Sequence, residues 1–237
     1  MNTHRAVIAS VFGAAVLAVG LLGGETPAST DGVMNLTATT ANVGGAPDAV
    51  RIEILRWSTD EERDRLMAAW SLKLPALATE GGGAGRGRGN AAGRGGRGSG
   101  RGAPAAEQAP LTPEGALARA LQETTTVGYL WTSEIAGYAL RFAGKEANPD
   151  GSQRIELITE RRLGAVNQRW TPTFQGTPNT YEFSMIELRL NAKGEGEGKV
   201  SLTGKVAPDP GLHVVAIENY DGLPVVFAKV RKQAVRQ

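Results

Sequence analysis

Between residues 126 and 230 the apolar side chains recur with a period of two, and that alternation restricts the chain more than any other feature it carries. Val127, Tyr129 and Trp131 share one phase, Tyr138, Leu140 and Phe142 repeat it, and Ile155 and Leu157 resume it. A period of two belongs to strands, whose successive side chains point to opposite faces. Turn signals punctuate the runs at Asn148-Pro149-Asp150-Gly151, Pro208-Asp209-Pro210-Gly211 and Asn219-Tyr220-Asp221-Gly222. Tyr181, Phe183 and Met185 fall on one phase and Ile186, Leu188 and Leu190 on the other, which predicts a bulge near Met185. Residues 193–198 (KGEGEG) read as a hairpin loop, and residues 163–170 fit neither period. With strands over 33–43 and 50–57, the latter bulged where Leu55 and Trp57 take the opposite phase, the expectation is about nine strands in an antiparallel meander, closed as a barrel or stacked as a sandwich.

Two helices interrupt this pattern. Ser58-Thr59-Asp60-Glu61 reads as a capping box with Ser58 at the N-cap and Glu61 three residues in. Leu66, Met67, Trp70 and Leu74 then mark one helical face, and Pro75 ends it. Thr112-Pro113-Glu114 opens the second helix with proline at its first position, and Leu117 and Leu121 supply its buried spacing.

Between the helices lies a segment of another kind. Residues 81–102 comprise 22 residues, of which 12 are glycine and five are arginine: Arg86, Arg88, Arg94, Arg97 and Arg101. The segment has no large apolar side chain, so no burial offsets the entropy of ordering it, and residues 79–110 are expected to be a disordered insertion. The whole chain carries 26 basic and 24 acidic residues; without Arg5, Glu25 and those five arginines, 20 basic residues face 23 acidic ones. The basic character therefore resides in the insertion. It suits weak contact with polyanions, while the body offers no nucleic-acid groove.

Residues 1–30 fit a secretory signal peptide, with Arg5 ahead of 17 uncharged residues (6–22) and the small-x-small triplet Thr26-Pro27-Ala28 beyond them. The competing reading is a retained membrane anchor, for which 17 residues sit at the bottom of the spanning range. The expectation is an exported, periplasmic or extracellular protein with one β-rich domain over 31–237. It contains no cysteine, so its stability rests on its core rather than on disulfides.

The blocks RIEILRWSTDEERDRL, VGYLW, MIELRLNAKGEGEGKVSL and ENYDGLPVVFAKV resemble a group of exported bacterial proteins of unknown function. That resemblance implies one intact domain into which the Gly/Arg tract is inserted, and it implies no ligand, activity or catalytic residue. In strand number the chain also resembles lipocalin-like barrels.

The chemistry-bearing residues form no catalytic, cofactor or metal constellation. The histidines are His4 and His213, one of them within the export signal, so a multi-histidine metal site is excluded. Glu195 and Glu197 alternate with glycines and decorate the expected hairpin loop, offering too few oxygens for a hard cation. Asp150, Asp209 and Asp221 sit in turn motifs. Glu182 and Glu187 flank the expected bulge, and a carboxylate hydrolase would need such a pair. Tyr129, Trp131, Tyr138, Phe142, Tyr181 and Phe183 are the candidate ligand-facing aromatics. The leading expectation is a non-catalytic binding or interaction protein of the cell envelope. The alternatives are a carrier of a small apolar ligand in a barrel cavity and a carboxylate-dependent hydrolase.

Overall fold

The computed structural model describes residues 34–73, 111–133, 135–165, 170–209 and 214–233. In chain order its elements are β1 (Met34–Thr40), β2 (Val43–Gly44), β3 (Ala49–Ile54), α1 (Asp60–Trp70), α2 (Pro113–Glu123), β4 (Gly128–Trp131), β5 (Gly137–Ala147), β6 (Gln153–Thr159), β7 (Thr171–Pro172), β8 (Met185–Leu190), β9 (Glu195–Val200), β10 (Val206–Asp209), β11 (Val214–Ile217) and β12 (Phe227–Gln233). The signal-like residues 1–30, the five arginines of the tract and His213 lie outside the described residues.

Eight strands close an antiparallel barrel in the order β1-β12-β9-β8-β6-β5-β4-β3. Each barrel strand pairs with the next barrel strand along the chain, and β12 returns to pair with β1. The fold is thus mainly β, an up-and-down barrel rather than a sandwich. Two small two-stranded sheets, β2–β7 and β10–β11, are separate from it in hydrogen bonding. Val214–Ile217, expected as one more strand of the meander, pairs with β10 instead.

One face of every barrel strand fills the interior. Leu36, Ile52, Leu130, Leu140, Leu157, Leu188 and Val230 are all fully buried there. Trp170 and Leu163, from the β6–β8 connection, join the same cluster, and Trp170 packs edge-on against Phe227 at 5.8 Å between ring centroids. An eight-stranded barrel is just wide enough for side chains to fill it.

A second apolar layer lies outside the wall. Leu66 and Ala69 of α1 and Leu117, Ala118 and Leu121 of α2 pack with Phe142, Ile158, Met185 and Phe183, and with Val206, Val215 and Ile217 of the β10–β11 hairpin. This layer corrects the bulge expected near Met185. β8 pairs regularly on both sides, and its two apolar phases exist because both of its faces are covered.

Irregularities do occur elsewhere, among them register shifts in the β1–β12 and β12–β9 pairings. The N–H groups of Leu55 and Arg56 both reach the carbonyl of Val127, at 2.9 and 3.2 Å. This two-on-one pairing adds a residue to the strand of β3, the bulge expected over 50–57, and brings Trp57 back against the interior. In β4 Leu130 faces inside with Val127, while Tyr129 and Trp131 point outward. In β5 the register shifts between Leu140 and Phe142, which turns Phe142 out to the helices while Tyr138 and Leu140 stay inside.

The capping box of α1 sits one residue later than expected. Thr59 Oγ1 accepts from Glu62 N and Glu62 Oε2 accepts from Thr59 N, at 3.2 and 3.0 Å. Ser58 is not free to cap, because it exchanges two hydrogen bonds with Ala143 of β5. α1 also ends earlier, at Trp70, with Leu72 in the left-handed region (φ 54°). α2 starts as expected, Thr112 Oγ1 accepting from Gly115 N at 3.1 Å.

Candidate functional site

The aromatics nominated from the sequence do not converge. Tyr138 lies inside the barrel, where its hydroxyl accepts from Gly164 N at 3.0 Å. Phe142, Tyr181 and Phe183 belong to the helix-facing layer, with Tyr181 and Phe183 stacked at 5.4 Å. Tyr181 borders an open groove of about 360 Å³ at the start of α2, together with Glu114 and Glu182. Tyr129 and Trp131 stand half-buried on the outer face of β4, with ring centroids 5.2 Å apart. Trp131 Nε1 donates to Glu53 at 3.0 Å, and the Arg51 guanidinium lies 5.7 Å from the indole centroid.

Glu195 and Glu197 are not in a loop. The turn spans Asn191 to Gly194, and both glutamates project outward, exposed, from β9. The glycines beside them face the packed barrel. A Cβ on Gly198 would lie 2.4 Å from Leu188 Cδ2, and one on Gly196 would meet the Arg189 carbonyl. The pattern that reads as a flexible loop is therefore a strand stripped of side chains where the wall has no room. Asp150 does serve a turn, accepting from Ser152 N at 2.9 Å.

Glu187 pairs with a different acid from the one expected. Glu182 is exposed ahead of β8, whereas Glu187 is wholly buried on the outer wall beside its register partner Glu156, which is 2 % exposed. Arg154, on the same face of β6, binds both. Its Nε lies 2.8 Å from Glu156 Oε1 and 3.1 Å from Glu187 Oε1, its Nη2 donates to Glu187 Oε2 at 3.2 Å, and its Nη1 donates to Asp209 Oδ2 at 3.1 Å. Arg189 adds a bond from Nε to Glu187 at 3.0 Å and one from Nη1 to Asp221 at 3.0 Å. Lys199 Nζ donates to the Tyr220 carbonyl at 2.9 Å, and both Arg189 and Lys199 lie over the Tyr220 ring, 3.7 and 4.5 Å from its centroid.

Glycine at position 144 makes room for this cluster, since a Cβ there would lie 3.2 Å from Glu156 Oε2. Burial raises the Glu156 carboxyl to about 7; Arg154 opposes that shift, and the nearby Glu187 and Glu146 reinforce it. Burial likewise pushes the Tyr220 phenol upward. Glu156 Oε1 has no partner in hydrogen-bonding geometry among the described residues.

Sequence reasoning missed this cluster by treating outward charges on strands as solvated. A usable signal existed. On β6 and β8 the other outward residues are Ile158 and Met185, which only a covered face explains, and a charge between them shares that cover.

No protein-family model, curated protein or solved structure matches the chain. Among the described residues no helix is long and apolar enough to cross a membrane.

Proposed function

We propose that the chain is a non-catalytic binding or interaction protein, exported to the cell envelope, whose barrel acts as a scaffold for contacts made from outside. One observation carries this reading: the described barrel interior is occupied by the protein's own side chains, Trp170 and Phe227 included. A carrier of a small apolar ligand needs that volume. The recess of about 330 Å³ near Leu163, Trp170 and Pro178 has Leu163 and Trp170, members of the packed interior, in its wall. A carboxylate hydrolase needs acids that a substrate can reach, and Glu156 and Glu187 are sealed beneath their neighbours.

The outer face of β3 and β4 is the surface best suited to contact. Tyr129 and Trp131 offer rigid, amphipathic rings at low entropic cost, framed by Arg51 and Glu53. Export rests on residues 1–30 of the sequence.

Native mass spectrometry of protein purified from its own envelope tests the reading. The expected spectrum holds the bare chain after gentle activation, together with a complex that Tyr129→Ala/Trp131→Ala abolishes. A stoichiometric small molecule that survives in the double variant overturns the scaffold reading in favour of a carrier.

A further inference from the structure

The β6–β8 connection, at one mouth of the barrel, encloses the recess of about 330 Å³ walled by Leu163, Trp170, Pro172 and Pro178. Arg162 is its one charged member among the described residues. The walls are held in place. Leu163 N donates to Ser184 Oγ and Gly164 N to the Tyr138 hydroxyl, each at 3.0 Å. β7 pairs with β2, and Trp170 packs against Phe227. Trp170 holds a left-handed backbone (φ 67°), which a bulky residue adopts only where its surroundings impose it. A recess formed in advance loses little freedom when it is filled.

Arg162 is half-buried, and its side chain makes no ion pair or hydrogen bond among the described residues. Glu160, the acid nearest in sequence, is engaged by Arg141 and Arg161. A guanidinium so placed beside apolar walls is left for an anion arriving from outside. The recess also adjoins the Tyr129–Trp131 face across Arg161. That guanidinium stacks on the Tyr138 ring at 5.0 Å and donates to the Gly137 carbonyl at 3.0 Å. Trp131 in turn lies over Gly137, where a Cβ would stand 3.0 Å from the indole.

We propose that the recess receives a peptide segment of the scaffold's partner: a bulky apolar side chain fills its apolar walls, and a neighbouring aspartate or glutamate pairs with Arg162. The inference rests on the scaffold reading and names the partner's chemistry at that surface. Charge and shape choose this occupant. A basic segment meets repulsion from Arg162 and Arg161. A sugar ring needs several polar side chains, and the described lining has no carboxylate or amide side chain. An acyl chain needs depth, and Leu163 and Trp170 belong to the packed interior that closes the floor. A carboxylate beside one apolar side chain matches what remains, because the guanidinium fork fits a carboxylate.

An array of random peptides of about ten residues, probed with the full chain, tests the inference. Retained peptides should share an acidic residue beside Leu, Ile, Phe or Trp. Arg162→Glu should weaken them by about tenfold and favour Lys or Arg at the acidic position, an exchange that a merely structural Arg162 could not produce. Arg162→Lys, which keeps the charge, should keep the acidic preference. The native complex should weaken in Arg162→Glu, as it does without Tyr129 and Trp131. The absence of a shared acidic–apolar motif, or the same motif in Arg162→Glu, overturns the proposal. So does Arg162-dependent binding of sodium laurate with no peptide retained, which would assign the recess to a lipid. A native complex that needs Tyr129 and Trp131 but ignores Arg162→Glu overturns the proposal and leaves the scaffold reading standing. A complex that ignores Tyr129→Ala/Trp131→Ala but is lost in Arg162→Glu supports the recess and removes the aromatic face.

Discussion

At the residue scale, two glutamates set opposite pH dependences. Glu156 binds its proton more tightly in the fold than in the unfolded chain, about 7 against an ordinary 4.5. The native state therefore holds the extra proton between those values. The associated stability is complete below the unfolded value and is lost as pH rises to about 7, with a ceiling of about 3 kcal/mol at 1.36 kcal/mol per unit. Glu62 runs the other way. Two hydrogen bonds from Arg56, at 2.8 and 2.7 Å, hold its carboxyl below the usual range, so its contribution is present above that range and is lost in acid. Urea midpoints should accordingly fall between pH 5 and pH 8, and Glu156→Gln should flatten that fall; an unchanged slope would remove Glu156 as its source. The outward turn of Trp131 has its own energetic consequence. Trp131→Ala should cost only about 1 kcal/mol through its loss of contact with Arg51 and Glu53, whereas Leu130→Ala, inside the barrel, should cost about 2–5 kcal/mol. Denaturant midpoints of the two variants measured side by side check the order.

At the element scale, the sequence displayed strands and helices more clearly than the faces they present. Both helices, the Asn148–Gly151 turn and most barrel strands follow from periodicity and turn chemistry, because those signals are local. Facing is not local. Val127, Tyr129 and Trp131 appear in phase, yet Val127 faces the interior and the other two face out. Two apolar phases in β8 suggest a bulge only if one face is assumed to be wet, and the layer formed by α1, α2 and β10–β11 is assembled from segments remote in sequence. The buried Arg154–Glu156–Glu187 group was hidden for the same reason. In β9, crowding replaced flexibility as the meaning of glycine. Gly196→Ala should therefore be costly, at the upper end of the roughly 1–3 kcal/mol typical of overpacking, because the obstacle is the backbone of Arg189 rather than a side chain able to move. A melting temperature within a degree of the parent would contradict that crowding.

At the scale of the whole molecule, barrel and sandwich were equally compatible with the sequence, since closure depends on whether the first and last strands meet. They do, through the β1–β12 pairing. The insertion between α1 and α2 leads to a prediction at this scale. Replacing residues 81–102 with a short Gly/Ser linker should leave the unfolding midpoint within about 0.6 kcal/mol of the parent, the cost of doubling a flexible loop. The same change removes five arginines, so retention on an immobilised polyanion should be lost. Unfolding of the variant would show that the segment packs on the domain, and persistent retention would place a basic site on the body.

The β1–β12 pairing also governs how the chain can reach its native state. Thr39 Oγ1 hydrogen-bonds to the carbonyl of Ala228, 189 positions away. Until that last strand arrives, β1 presents an open edge and the barrel interior has a slit along its full height. Contacts so distant in sequence cannot form until synthesis has reached the last strand, and they slow the closure that follows. The nascent chain therefore passes through a period as an unclosed sheet, when it is most exposed to pairing with a neighbour of its own kind and most in need of a holding chaperone.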